Sequence, residues 1–161
     1  MNKLKDAYDA IKNFNNEVAR HLLTEDTSLI NAMTPFGTLL HVASAAGNID
    51  IIHYLIAHGA DINTRGGALG GSALNEAASD GRIEVVRYLL SHGAAMDTSE
   101  PERNPLFSSI YGGHVEVSRI LISNGIDVTV RYTGESMKEM DALAYAVERG
   151  QKEIAALLSK H

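Results

Sequence analysis

Cysteine is absent from the 161-residue chain, so nothing in it depends on disulfides, thiolate chemistry or zinc–thiolate sites, which suits a reducing cytosol. Nor does any apolar run approach the roughly 20 residues that a membrane-spanning helix needs. The amino terminus, MNKLKDAYDAIKNF, interleaves charges with apolar residues where a secretory leader would have an uninterrupted apolar core, and the expected location is cytoplasmic. Positive charge is in deficit, with 14 Lys and Arg against 20 Asp and Glu and a net charge of −6. That balance argues against nucleic acid and anionic membrane surfaces as partners and favours a basic protein. No HExxH, G-x-S-x-G or Walker-type loop occurs, so neither enzymatic activity nor a metal or cofactor is expected. The glycine-rich run Gly66 to Gly71 lacks the Lys-Ser/Thr that completes a phosphate cradle and reads as a loop tip.

What the chain does contain is periodicity. Hydrophobic residues make up 45% and charged residues 21%, ordinary values for one globular domain that can bury a continuous core. The clearest unit is Thr38 to Asn63, TLLHVASAAGNIDIIHYLIAHGADIN. Its first half, Leu40 to Ala46, has small and apolar residues at helical spacing and stops at Gly47, a residue able to close a helix in the left-handed conformation. A second helix follows, with Ile49, Ile51, Ile52, Leu55 and Ile56 marking one apolar face up to Gly59.

This string closely resembles the ankyrin repeat, a 33-residue unit reading TPLHxAA, then G-H-x-E-V-V-x-L-L-L, then G-A-D-V-N. The resemblance implies an all-α repeat protein, an ankyrin-type solenoid of stacked helix-turn-helix units with projecting β-hairpin loops, in a single domain over 1–161. Five units are expected at about 1–32, 33–65, 66–98, 99–130 and 131–161, the first and last being caps. The first is worn: Phe14 and Asn15 stand where the turn glycine and histidine belong. Under the same resemblance His41 is the structural TPLH histidine, bonded to Thr38 and nearby backbone. His58 and His92 share one repeat position beside a helix end, and His114 is a turn residue.

The register can be checked without the family. Residues just outside the first helix of each unit should accept bonds from free backbone N–H groups, and they are Thr38, Ser72, Asn104 and Asp141, all preferred caps. Pro105 then falls at the first helical position, where proline is tolerated. Leu40, Leu74, Leu106 and Leu143 are 34, 32 and 37 residues apart, so the extra length belongs to the last connecting segment. Hairpins are expected at Asp61 to Gly71, Asp97 to Arg103 and Asp127 to Met140, the last as the most mobile internal segment.

In the family, partners bind the concave side formed by hairpin tips and the exposed face of the first helices. Carried onto this register, the helix contribution is Glu76, Asp80, Tyr111, Tyr145, Glu148 and Arg149, with the small residues Val42, Ala45, Ala46, Ser79, Ser108 and Gly112 between them. The tips contribute Arg65, Glu100, Glu102, Arg103, Arg131, Tyr132 and Met137. Tyr111, Tyr132 and Arg103 stand out because tyrosine and arginine are over-represented among residues that dominate binding energy. Glu76 and Asp80, four residues apart, should form an acidic recess at the middle of that face, either solvated, paired with Arg65 or Arg103, or open to a partner's lysine or arginine. The expected activity is therefore binding without catalysis: a monomer that recognises and blocks or sequesters a protein partner, as an inhibitor or immunity protein does. The alternative is a translocated effector or adaptor that binds a host protein.

Overall fold

The computed structural model describes residues 1–161. Helices α1 (Lys3–Lys12) and α2 (Asn16–Glu25) form the first pair, α3 (Leu39–Ala46) and α4 (Ile49–Ala57) the second, and α5 (Ala73–Ser79) and α6 (Ile83–Ser91) the third. Helices α7 (Pro105–Gly112) and α8 (Val115–Ser123) are followed by α9 (Ala142–Glu148) and α10 (Lys152–Leu158). The odd-numbered helices pack on one another in sequence order, α3 between α1 and α5 and α7 between α5 and α9. The even-numbered helices cover one side of that row, each turning an aliphatic stripe inward: Ile51, Ile52 and Leu55 on α4, Val85, Val86 and Leu89 on α6, Val117, Ile120 and Leu121 on α8. The result is one continuous core running the length of an all-α solenoid.

Helix starts follow the capping logic closely. Thr38, Ser72, Asn104 and Asp141 are the N-caps of α3, α5, α7 and α9, and Pro105 occupies the first turn of α7. At the other end Gly47 closes α3 with φ +79°, a left-handed conformation that costs a side-chain-bearing residue about 1 kcal/mol.

Bonds that run from one unit to the next fix the spacing of the stack. His41 is buried and accepts the Thr38 N–H at Nδ1, 3.1 Å away; its other ring nitrogen donates to the Gly71 carbonyl at 3.1 Å. In the third unit Asn75 does the same work, accepting from the Ser72 N–H at 3.1 Å and donating to the Arg103 carbonyl at 2.7 Å. At the opposite helix ends, Asn48 donates to the Ile11 carbonyl, Arg82 to that of Ala45 and His114 to that of Ser79, at 3.0, 2.8 and 2.8 Å.

The connecting segments depart from expectation in two places. The one ladder of more than a single residue pair is a hairpin of β1 (Met33–Thr34) and β2 (Gly37–Thr38), which the sequence reading did not separate from the second unit. The segment from Asp97 to Arg103 is not a hairpin. Asp97 accepts the Ser99 N–H at 2.9 Å to make a side-chain-closed turn, and Pro101 then starts a single 3-10 turn, Pro101–Arg103. The other two segments close with one bridge each, Gly66 to Gly71 and Tyr132 to Met140. In the last of them Gly134 and Met137 close the tip by a 2.8 Å bond.

Leu89 is 0% exposed at the centre of the core. Leu89→Ala is expected to cost about 2–5 kcal/mol in urea denaturation, and a loss below about half a kcal/mol would refute the burial. His41 gives a pH test: burial holds its pKa below the ordinary histidine value. Below about pH 6.5 the unfolded chain takes up a proton that the folded ring resists. The stability carried by the neutral ring is thus complete above that pH and is lost as pH falls toward the depressed folded value. His41→Asn, which installs the residue found at position 75, should reduce the pH dependence of the urea midpoint between about pH 6.5 and 5. An unchanged slope would show that His41 does not titrate in this way.

Candidate functional site

Three large apolar side chains project into solvent from three of the connecting turns. Phe14, between α1 and α2, is 55% exposed; Phe36, at the β1–β2 turn, 63%; Leu69, in the glycine-rich tip, 69%. Together they border a groove of about 590 Å³, lined along α3 by Val42, Ala45 and Ala46. Tyr8 lines it too, its ring 5.6 Å from that of Phe36. Glu76 of α5 and Asp80, which caps its end, complete the lining on the side away from Tyr8 and Lys12. Large apolar side chains left exposed around one concavity are uncommon on the surface of a folded chain.

Two features of the groove are unfavourable for folding. Phe14 sits at φ +59° in the turn where the next four pairs carry glycine, the conformation that penalises a bulky residue. Glu76 is half-buried, and burial together with the Asp80 carboxylate one turn along pushes its pKa above the usual carboxylate range. No ion pair compensates it: Arg65 binds Asp97, and Arg103 lies 3.3 Å from Glu100. Arg82, on the same groove, spends its Nε–H on the Ala45 carbonyl.

A second recess of about 290 Å³ adjoins the first, with Leu69 common to both. It brings together Glu102, Tyr111, Met137 and Tyr145 from the expected partner-binding set. Tyr145 stacks on Phe107 with ring centroids 4.8 Å apart, and burial raises its pKa while Arg149 opposes that rise. Arg149 lies over the exposed Tyr111 ring at 4.5 Å, and Glu148 is exposed beside it. Gly112, also on this face, has a packing reason for its identity: a Cβ there would stand 2.4 Å from the His114 ring and 2.7 Å from the Ser79 carbonyl.

Other expected residues are placed elsewhere. Tyr132 is 9% exposed, not at a tip; its ring packs edge-on against Phe107 at 5.0 Å, and its hydroxyl joins Asn104 at 3.0 Å to the Thr98 carbonyl at 2.7 Å. Arg131 lies 3.7 Å from Asp141 in a separate small recess with Leu143. Arg65, Glu100 and Arg103 are engaged in the ion pairs above. Glu76 and Asp80 do line one recess, which runs from the third unit toward the first. Tyr8, Phe14, Phe36 and Leu69 were not anticipated. Phe14 in a glycine position and Leu69 within GGALGG were the available signals.

A family model described as ankyrin repeats (3 copies) matches residues 7–100 and, in an overlapping placement, residues 40–132. Among curated proteins no sequence matches the chain.

Removing either unfavourable feature should stabilise the fold. Phe14→Gly is expected to raise the urea midpoint at neutral pH by relieving the left-handed backbone, worth about 1 kcal/mol. Glu76→Gln should raise it by roughly a few tenths of a kcal/mol. The sign follows from the raised folded pKa: ionised Glu76 opposes folding at neutral pH, and the opposition fades as pH falls through the raised value and is gone below the ordinary glutamate value. A lowered midpoint for either variant would mean that the side chain supports the fold and is not held there against it.

Proposed function

Because this chain belongs to the ankyrin-repeat family, a family of protein-interaction modules, we propose that it is a non-catalytic binding protein that blocks or sequesters one protein partner, as an inhibitor or immunity protein does. The contact surface in this reading is the groove and the adjoining recess, and the observation that carries it is the exposure of Phe14, Phe36 and Leu69 on three turns around one cavity. Apolar side chains gathered at a concave mouth gain burial when a partner fills it, and aromatic anchors in such pockets supply most of the energy of typical interfaces. Tyr111, Tyr145, Met137 and Glu102 extend the surface along the stack. The net charge of −6 supports a basic partner by speeding encounter. A free monomer in the cytoplasm is the form that this reading implies; no helix is long and apolar enough to cross a membrane.

The test begins with capture from the native cell and identification of the bound protein by mass spectrometry, followed by titration calorimetry. The double variant Phe36→Ala, Leu69→Ala is expected to bind that partner at least about tenfold more weakly while unfolding at the parent's urea midpoint. Addition of one equivalent of the parent chain should abolish the partner's own activity. Unchanged affinity in the double variant would remove the groove from the interface, and a partner that stays fully active in the complex would rule out blocking.

A further inference from the structure

We propose that the groove takes a partner segment in which an arginine or lysine stands next to a bulky apolar residue, the cation reaching Glu76 and Asp80 while the apolar side chain lies against Phe36 and Leu69. This rests on the reading of the groove as the partner surface and names the chemistry that the surface selects.

Glu76 is the half-buried carboxylate of the lining. Its near neighbour Asp80 has the same charge, and the arginines of the adjacent tips bind other carboxylates. Burial and Asp80 act on it in the same direction and no cation acts against them. A positive group arriving from outside would meet two carboxylates already held one helical turn apart, with no internal ion pair to break first.

The approach is also open. Gly67 passes above Glu76 in the left-handed conformation, φ +72°, and a Cβ on it would stand 3.5 Å from Glu76 Oε1. Glycine at 67 keeps a side chain off that side of the carboxylate. Long basic side chains bury their methylene stems on apolar surface and extend the charge beyond it, and Val42 and Ala46 line the groove beside α5 in the right place for such a stem. The two cations of the groove do not fill this role: Arg82 is held on the Ala45 carbonyl, and Lys12 lies over the Tyr8 ring at 5.8 Å. An acidic segment would face the unpaired carboxylates and lose affinity; a purely apolar one would leave them buried and uncompensated.

The probe is a random peptide library panned against the full-length chain, with the variants Glu76→Gln, Asp80→Asn and Leu69→Ala made in the same chain and checked by thermal unfolding. Selected peptides are expected to carry Arg or Lys adjacent to an aromatic or branched aliphatic residue. Their affinity should drop at least about tenfold in the Glu76→Gln, Asp80→Asn double variant and equally when glutamine replaces the basic residue of the peptide. It should also weaken with added salt in the parent but not in that double variant. Peptides that need Leu69 but bind the double carboxylate variant as tightly as the parent would keep the groove and overturn the cation preference. Peptides indifferent to all three substitutions, or no enrichment of basic sequences, would overturn it as well, and indifference to Leu69→Ala would count against the groove itself.

Discussion

The stack depends on what happens to the carbonyls at the end of each inner helix. A helix leaves its last carbonyls without internal partners, and here a side chain from the turn of the next unit donates to one of them. Asn48, Arg82 and His114 do this for Ile11, Ala45 and Ser79, three different residue types with one geometric task. Each bond contributes only about 1 kcal/mol, but each ties the end of one inner helix to the turn of the next unit and so fixes where that unit sits. At the opposite ends of these helices the His41 and Asn75 bridges to Gly71 and Arg103 set the spacing a second time. With both ends pinned, the inner helices can approach closely only through small residues, and Ala43, Ala77, Ala78, Ser109 and Ala146 are the fully buried residues that allow it.

That economy explains which parts of the molecule the sequence disclosed. Caps are local devices, so Thr38, Ser72, Asn104 and Asp141 could be read from their neighbours, and the helix-turn-helix order followed. Tyr132 could not be read this way. Its burial answers a change in another unit, where Phe107 occupies the position of His41 and Asn75 and cannot bridge to the next loop. Asn104 and the Tyr132 hydroxyl make that connection instead, and the ring fills space beside Phe107. The tip arginines misled for the same reason: Arg65 and Asp97 are 32 residues apart in the chain, and a pairing of that kind leaves no trace in local spacing.

The candidate site was the least readable part. Glu76 and Asp80 share a helix, and their meeting was a matter of helical period. Phe14, Phe36 and Leu69 come from three turns with no common period and are neighbours only because the units stack in register. Their exposed apolar character carries no signal by itself, since much of any protein surface is apolar. What separates them from ordinary surface residues is their convergence on one cavity, a property of the fold and not of any one stretch of chain.

Phe14 and Glu76 also share a second property: each sits where the local rules favour something else. Sequences tend to satisfy their folds at every level, and departures concentrate where a surface serves a partner. Two unrelated departures, one of backbone conformation and one of charge, on the rim and wall of a single groove are harder to assign to drift than either alone. The frame around them is rigid in the relevant sense, because α3 and α5 are fixed to their neighbours at both ends, so the groove is shaped before anything enters it. Little conformational entropy remains to be lost on binding at such a surface, and affinity can rest on a small contact area provided the entering side chains match its apolar rim and its uncompensated carboxylates.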